Sequence, residues 1–315
     1  MKRIGQLGEH VLIRTLTRRL PGRPEVATGV GDDCAVVRQP GSRHDLVFTT
    51  DAVIEGMHFL PRHAGERIGH KAVGRVLSDI AAMGGEALYV LIDLVAPARC
   101  PVARVQAIYR GAARLATRHG AVIIGGDTAR GDTLQLHVFG VGRVTRGRAL
   151  LRSGARPGDR LFVSGPLGGS AAGKHLDFEP RLAEGQWLAR GRWATAMMDI
   201  TDGLATDLGH VVRASQVTAV VDESALPRAP TARGPAAPWS DGEDFELLFT
   251  VPARRVVAFR RAWARRFGAA PHEIGEVRSG SPRILVRGPD GRVRALVRRG
   301  FEHFKSAARR QGRST

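Results

Sequence analysis

The sequence predicts an α/β protein with two domains, from its length, its composition and the alternation of its hydrophobic patterns. The chain has 315 residues, enough for two cores, and 43% of them are hydrophobic, as in an ordinary globular protein. Short β-branched runs alternate with longer stretches of helical period, a pattern typical of sheets covered by helices. A polar, turn-rich stretch at 148–159 interrupts this alternation, so we place a domain boundary near residue 148.

The first half is predicted to be rich in strands that long crossover helices connect. Apolar residues recur at helical spacing over 4–20, and Pro21-Gly22 ends that helix. A second helix begins near Lys71 and ends at Gly84-Gly85, and a third spans 101–119. The predicted strands of this half are 34–37, 45–50, 88–95, 121–124 and 134–142.

The second half repeats the pattern with shorter elements. A strand is predicted at 161–165, another ends at Asp199 and leads into a helix, and an Arg-rich helix spans 253–268. Gly168 to His175 nearly matches the phosphate loop G-x-x-x-x-G-K-[ST], but His175 replaces the Ser or Thr that would hold Mg²⁺. We therefore predict a glycine-rich helix start there. The domains are predicted as 1–148 and 149–304, with a basic, flexible tail at 305–315.

Charge and cysteine content limit the partners and the compartment. The net charge is +18, yet only four of 48 basic residues are lysine, and the 44 arginines are spread along the chain. Aromatic residues make up 5%, too few for a nucleic-acid stacking surface, so nucleic acid is not favoured as a partner. No apolar run reaches the roughly 18 residues of a membrane span. We read Cys34 and Cys100 as reduced thiols of a cytoplasmic protein.

The first polar motif lies where the strand at 45–50 ends. Thr49, Thr50 and Asp51 offer two hydroxyls and a carboxylate there, and His58 follows seven residues after Asp51. Oxygen atoms of these types are ligands for a hard cation such as Mg²⁺, and a nearby histidine can hold a phosphate or another polar group. The alternative is an ordinary strand end in which Asp51 caps a turn.

Three further carboxylates stand in unusual surroundings. Asp32 and Asp33 follow glycines at the entry of a strand, where side chains point to opposite faces, so at most one is expected in a given site, and we favour Asp32. Asp79 lies within an apolar helix, where a carboxylate is costly to bury unless it is paired or bound to a metal. For Asp79 a metal ligand and a buried ion pair both remain open.

Two later turns repeat the combination of glycine and acid. Gly125-Gly126 can bring backbone N–H groups close to a phosphate, and Asp127 can hold the accompanying Mg²⁺. Asp199, Thr201 and Asp202 stand between a strand end and a helix start, which suits phosphate oxygens.

These acids gather in the sharpest motifs of a chain that carries an excess of base. Like charges brought together would repel unless divalent cations compensate them. No His/Cys set suits Zn²⁺, and no Gly-x-Ser-x-Gly elbow is present. Glycine turns and hard oxygen ligands predict Mg²⁺-nucleotide chemistry and phosphoryl transfer.

In order along the chain, these motifs resemble the thiamine-monophosphate kinase family. The resemblance spans about residues 5–304 and is carried by Gly31-Asp-Asp33, Thr49-Thr-Asp51 with His58-Phe59, Leu77-Ser-Asp-Ile-Ala-Ala-Met-Gly84, Gly125-Gly-Asp-Thr128, Arg152-Ser-Gly-Ala-Arg-Pro-Gly158, Asp199-Ile-Thr-Asp-Gly-Leu204 and Gly242-Glu-Asp-Phe-Glu-Leu247. It implies the fold of aminoimidazole ribonucleotide synthetase, with two α/β domains and N-terminal domains that bind ATP and Mg²⁺ and pair in a homodimer. It also implies conversion of ATP and thiamine monophosphate into ADP and thiamine diphosphate.

By position, the resemblance implies roles for individual residues. Several Mg²⁺ ions would be held by Asp32, Thr49, Thr50, Asp51, Asp79, Asp127, Asp199 and Asp202. The nucleotide would be contacted by Gly126, Asp127, Arg152 and Thr201, with Tyr109 or Arg110, and thiamine monophosphate by His58, Glu243 and Phe301. Asp51, Asp127 and Arg152 would act in catalysis by relieving the repulsion between two phosphates.

Two departures from the pattern concern the thiamine side of the site. Asp241 stands where the family usually has a glycine, and Arg298 where it usually has a tryptophan. Two alternatives therefore stay open. One is another ATP-dependent kinase or synthetase of the same fold with a different small phosphorylated substrate. The other is a non-catalytic relative that binds polyanions.

Overall fold

The computed structural model describes residues 3–296, and they form two seven-stranded sheets. The first sheet has the order β1-β2-β3-β7-β4-β5, and β6 also pairs with β4. The elements of this half are α1 Ile4–Leu7, α2 Glu9–Thr17, β1 Val26–Thr28, β2 Ala35–Arg38, β3 His44–Ile54, α3 Gly65–Ala82, β4 Glu86–Ala96, α4 Val102–Arg118, β5 Val122–Gly125, β6 Thr128–Arg130 and β7 Gln135–Thr145.

The second sheet has the order β14-β13-β10-β12-β8-β11-β9. The chain passes to it between Thr145 and Asp159. Its elements are β8 Asp159–Val163, α5 Lys174–Asp177, α6 Leu182–Arg190, β9 Met197–Asp199, α7 Leu204–Ser215, β10 Thr218–Asp222, α8 Ala237–Ser240, β11 Leu247–Pro252, α9 Val256–Phe267, β12 His272–Arg278, β13 Arg283–Arg287 and β14 Val293–Ala295. The prediction of a mixed α/β fold is confirmed.

Helix α3 is the central element, because it contacts both halves of the molecule. It packs on β3, β7 and α4 of the first half and on α5, α6 and β9 of the second. Twelve of its 18 residues are buried, which explains the long apolar run in the sequence. A buried helix shared by two sheets fixes the distance between polar side chains that the two halves contribute.

Glycines allow α3 and α4 to approach closely. A Cβ atom at Gly111 would lie 1.9 Å from the carbonyl oxygen of Glu66, and one at Gly69 would lie 1.9 Å from that of Ile108. Neither position has room for a methyl group unless the two backbones separate.

We expect Gly111→Ala to lower the free energy of unfolding by about 3 kcal/mol, because the added methyl group forces the two helices apart. Chemical denaturation measures the loss. Gly22→Ala is the matched control, since a Cβ atom there has nothing within 4 Å. Equal stability of the two variants would contradict the close packing of α3 on α4.

The N-terminal helix differs from the prediction. Instead of one helix over 4–20, the chain forms α1 and α2 with a break at Gly8, whose φ is 73°. The helical period continues through this position, but a glycine in a left-handed conformation cannot be part of an α-helix. In the part of the chain described, no helix is long and apolar enough to cross a membrane. The predicted tail at 305–315 lies outside the described residues.

Candidate active site

Three carboxylates from three separate segments of the chain lie close together. Asp33 precedes β2, Asp79 lies in α3, and Asp199 ends β9. Each offers one oxygen atom such that all three oxygens lie within 4.8 Å of one another. The cluster therefore joins the first half of the chain to the second.

Hydrogen bonds fix each carboxylate in place. The Thr49 hydroxyl donates to Asp79 over 2.5 Å, and the Ser78 hydroxyl donates to Asp199 over 2.5 Å. The guanidinium of Arg152 binds Asp33, with its Nη2 atom 2.5 Å from Oδ1. Among the described residues, Arg152 is thus the one cation that is hydrogen-bonded to any of the three carboxylates.

The shortage of positive charge shows in the pKa values. Burial, and then the neighbouring carboxylates, raise the pKa of Asp79 well above its usual value. Burial and Asp33 raise the pKa of Asp199 to about 7, against the hydrogen bond from Ser78. Burial also raises the pKa of Asp33, although the Arg152 charge opposes this. Without a further cation, these groups hold protons more strongly than ordinary aspartates do.

The donor set fits a hard divalent cation. Carboxylate and hydroxyl oxygens are the ligands that Mg²⁺ prefers, and in the described residues the buried Oδ2 atom of Asp33 has no hydrogen-bond partner. A buried acceptor without a donor is unfavourable, and a bound cation would satisfy it.

The structure places Asp33, and not the favoured Asp32, in the carboxylate cluster. Both residues lie in the turn before β2, so the alternation of side chains along a strand does not decide between them. Asp32 instead accepts the backbone N–H of Arg152, 3.2 Å from each carboxylate oxygen. Its carboxylate lines the neighbouring cavity, and burial followed by Asp33 raises its pKa to about 7.

The residues at the end of β3 are divided between its two faces. Thr49 is buried and bonded to Asp79, whereas Thr50 is exposed on the opposite face. The structure therefore brings one of the two threonine hydroxyls, that of Thr49, to this cluster, and the role of Thr50 stays a prediction. Asp51 lies on the Thr49 side, where it binds Arg75 over 2.9 Å.

A cavity of about 490 Å³ adjoins the cluster, and we call it the large cavity. Its lining includes four residues that the sequence singled out, which are Asp32, Arg152, Thr201 and Asp202. Helix α2 supplies part of the opposite wall through Glu9, Ile13, Arg14 and Thr17. The structure thus brings together Arg152 and Thr201, the two predicted nucleotide contacts that follow β7 in the chain.

The turn after β9 is held by a buried carboxylate that the sequence analysis did not use. Asp207 in α7 accepts the backbone N–H groups of Thr201 and Asp202, each over 3.0 Å. Burial, followed by Asp202 and Asp199, raises the pKa of Asp207 well above its usual value. Asp207 therefore fixes the turn that carries Thr201 and Asp202.

A second cavity of about 230 Å³ shares Thr201 and Asp202 with the first, and we call it the small cavity. His58 and Glu243, the two predicted thiamine contacts within the described residues, both line it. The remaining lining is Met57, Arg75, Ala171, Ser240 and Gly242. The two cavities therefore meet at the turn after β9.

Glu243 is fixed by an ion network that links the two halves of the chain. Lys71, whose side chain is fully buried in α3, lies 2.6 Å from Glu243 and donates to the carbonyl oxygen of His58 over 2.6 Å. His175 lies 3.2 Å from the other carboxylate oxygen. Although burial opposes ionisation, His175, Lys71 and Arg75 lower the pKa of Glu243 to about 2. The Glu243 backbone has a φ of 62°, a strained conformation for a non-glycine residue.

The glycine-rich segment 168–175 does not act as a phosphate loop here. Asp244 accepts the Gly168 N–H over 2.9 Å, and Asp241 accepts the Gly169 N–H over 2.8 Å, so carboxylates take up the amides that a phosphate would need. Lys174 binds Glu246 over 2.8 Å. The prediction of a glycine-rich helix start is confirmed, since a 3₁₀ turn and α5 follow. Asp241 has φ −72°, so it fits the turn without strain.

Several predicted nucleotide contacts lie away from the carboxylate cluster. Asp127 and Gly126 are exposed beyond β5, at the far edge of the first sheet from β2, and Gly126 packs closely on the Ile92 carbonyl oxygen. Tyr109 and Arg110 lie on α4, and Arg110 is bound to Glu66. The structure does not bring these four residues to the cluster. Phe301 and Arg298 lie outside the described residues.

Sequence reasoning missed Lys71, Arg75 and Asp207, and it favoured Asp32 over Asp33. Asp207 carried a signal, a carboxylate on an apolar helix like that of Asp79. Lys71 and Arg75 carried little, because their partners are distant in the sequence and basic residues on a helix are usually exposed.

Comparison with known proteins gives two matched domains. The family model for the N-terminal domain of AIR synthase related proteins matches residues 31–144. The model for the C-terminal domain of the same family matches residues 156–286. Together they cover more than half of the chain, and they fall on the two sheets.

Individual relatives agree with this match. The chain is 38% identical over 277 residues to thiamine-monophosphate kinase of Salmonella typhimurium, covering 78% of this chain and 83% of that protein. It is 31% identical over 332 residues to thiamine-monophosphate kinase of Bacillus subtilis, covering 95% of this chain and all of that protein. The solved structure of AaThiL complexed with AMPPCP and TMP superposes with a TM-score of 0.84 at 30% identity, covering 96% of this chain and 99% of that one.

Proposed function

The chain belongs to the AIR synthase related family and, within it, to the thiamine-monophosphate kinases, and we propose that it transfers the γ-phosphate of ATP to thiamine monophosphate. The products are ADP and thiamine diphosphate. The resemblance in sequence covers both sheets, and the superposable AaThiL structure holds an ATP analogue and TMP.

The observation that carries this proposal is the meeting of two cavities beside one carboxylate cluster. The large cavity, with Arg152 and Thr201, is of a size that accepts a nucleotide. The small cavity, with His58 and Glu243, would receive the acceptor. Since the two share Thr201 and Asp202, donor and acceptor phosphates would meet at that turn.

The chemistry asks little of a general base. The attacking oxygen belongs to a phosphate that is already anionic at neutral pH, so no side chain needs to remove a proton from it. The obstacle is repulsion between two phosphates, which positioned cations reduce. Arg152 would supply one such charge on the nucleotide side, where Asp33 holds its guanidinium.

Mg²⁺ would be held by Asp33, Asp79 and Asp199, with Asp32, Thr49, Asp51 and Asp202 as further oxygen donors, and it would neutralise phosphate charge. The carboxylates are held in place by hydrogen bonds from neighbouring hydroxyl groups before any cation binds. Thr49 and Ser78 orient the carboxylates of Asp79 and Asp199 by hydrogen bonds. Asp127 remains a proposed ligand that would act away from this cluster.

We also infer a homodimer built on the first sheet. Tyr89 on β4 is paired with Val122 on β5, and their side chains are 45% and 50% exposed. Ile124, further along β5, is 57% exposed. A second copy of the chain would cover these apolar side chains, which lie together at one edge of the sheet.

The proposed reaction is tested by incubating the purified protein with Mg-ATP and thiamine monophosphate and separating the thiamine species by chromatography. Thiamine diphosphate is the expected product of the wild type. Asp51→Asn is expected to abolish it, which excludes a contaminating kinase. If the wild type binds Mg-ATP but forms no thiamine diphosphate, the substrate assignment is wrong.

A further inference from the structure

Arg75 lines the small cavity and carries a positive charge, but it has no role in the reaction as described above. It lies in the middle of α3, and only 13% of its side chain is exposed. Among the described residues that line this cavity, it alone carries a guanidinium or ammonium group. The charged neighbours in the same wall, Asp202 and Glu243, are both acids.

The guanidinium of Arg75 lies between the carboxylates of Asp51 and Glu243. Its Nη2 atom is 2.9 Å from Asp51, and its Nη1 atom is 3.4 Å from Glu243. Its buried Nε atom has no hydrogen-bond partner in the described residues. An arginine has five N–H donors, so this side chain keeps donors for a ligand.

Glu243 does not depend on Arg75 for its compensation. Lys71 is 2.6 Å from one of its oxygens and His175 is 3.2 Å from the other, both closer than Arg75. Lys71 is fully buried and so cannot reach a ligand in the cavity. The buried lysine thus serves the carboxylate, and the arginine beside it remains available.

A phosphorylated acceptor needs this kind of group. A phosphate that enters a cavity lined by Asp202 and Glu243 meets negative charge, and a fork of N–H donors matches its oxygens. We propose that Arg75 binds the phosphate of the acceptor and thereby selects phosphorylated over unphosphorylated thiamine. This inference rests on the proposed function and assigns a specificity-determining residue to it.

The contact of Arg75 with Asp51 also sets the orientation of its guanidinium. Its contact with Asp51 points the guanidinium towards the carboxylate cluster, so an acceptor phosphate bound there would face the donor phosphates. The positive charge would reduce the repulsion between the two phosphates from the acceptor side, as Arg152 does from the nucleotide side.

Calorimetric titration of the full-length protein tests the inference, with Mg²⁺ and AMPPCP present and with thiamine monophosphate or thiamine as the titrant. We expect the wild type to bind thiamine monophosphate more tightly than thiamine. Arg75→Gln should weaken binding of thiamine monophosphate about tenfold or more and leave binding of thiamine unchanged. Arg75→Lys keeps a charge for Asp51 but loses the fork, and should give an intermediate preference.

Arg114→Gln is the control variant. Arg114 also lies on a helix and binds a carboxylate, that of Glu66, but it lines neither cavity. It should keep the wild-type preference. An Arg75→Gln protein that loses affinity for both titrants equally would show a structural role only and would overturn the inference. If Arg75→Gln does not fold, Arg75→Lys decides, since an undiminished preference in that variant also overturns it.

The inference and the proposed function fail in different ways. A wild type that forms thiamine diphosphate, with an Arg75→Gln variant that keeps its preference for the phosphorylated ligand, overturns the inference and leaves the function intact. A wild type that neither binds nor phosphorylates thiamine monophosphate overturns both.

Discussion

Asp79→Asn is expected to lower turnover of Mg-ATP and thiamine monophosphate by about a thousandfold and to leave the protein folded. Asp79 is the member of the carboxylate cluster whose pKa is raised well above normal by burial and by Asp199 and Asp51. Asparagine can still accept the hydrogen bond from Thr49, but it removes the charge that a divalent cation needs. Steady-state kinetics at saturating Mg²⁺ measures the loss.

Thermal unfolding separates the loss of charge from a loss of structure. Since the substitution relieves repulsion between buried carboxylates, the melting temperature without metal should stay equal or rise. Addition of Mg²⁺ should raise the melting temperature of the wild type and not that of the variant. Asp45→Asn is the matched control, because Asp45 is also buried but lies at the start of β3, where it accepts the N–H of Gly147. Asp79→Asn with more than a tenth of wild-type activity would contradict the assignment.

Lys71→Met should have the largest effect on stability among single substitutions in the ion network around Glu243. Lys71 is fully buried, and burial lowers its pKa to about 8 although Glu243 opposes this. Methionine leaves Glu243 without its nearest cation, and the loss of one partner of a buried pair is strongly destabilising. We expect a loss of about 3 kcal/mol, at the low end for such pairs because Arg75 remains 3.4 Å away.

A double substitution identifies the cause of that loss. Lys71→Met combined with Glu243→Gln removes both charges, so chemical denaturation should show recovery of part of the stability. The KM for thiamine monophosphate should still be raised in both proteins, because Lys71 also holds the His58 carbonyl oxygen. If the double variant loses more free energy of unfolding than the two single variants lose together, the ion pair does not account for the effect.

Part of the site could be predicted because its local sequence is unusual. Asp79 in an apolar helix and Asp199 at a strand end were both predicted as ligands, and both lie in the carboxylate cluster. Their pattern is visible over a few residues, since it depends on local burial and on the ends of elements. The alternation along β3 likewise separates Thr49 from Thr50, once the strand is known to continue to Ile54.

The remainder depends on contacts between distant segments. Lys71 and Arg75 meet Glu243 across more than 160 residues, and no local pattern marks a lysine whose partner is so far away. Asp32 and Asp33 are equivalent in the sequence, and the packing of the turn before β2 decides which of them faces Asp79. The near match to a phosphate loop at 168–175 shows the converse, because Asp241 and Asp244 occupy its amides from a remote segment.

The γ-phosphate is expected to pass directly from ATP to the acceptor, between the two cavities that meet at Thr201 and Asp202. Single-turnover reaction with γ-labelled ATP, Mg²⁺ and excess thiamine monophosphate tests this transfer most directly. We expect the label to enter thiamine diphosphate in a one-to-one ratio with ADP, without labelled protein. Label that appears on the protein, or only as inorganic phosphate, would contradict it.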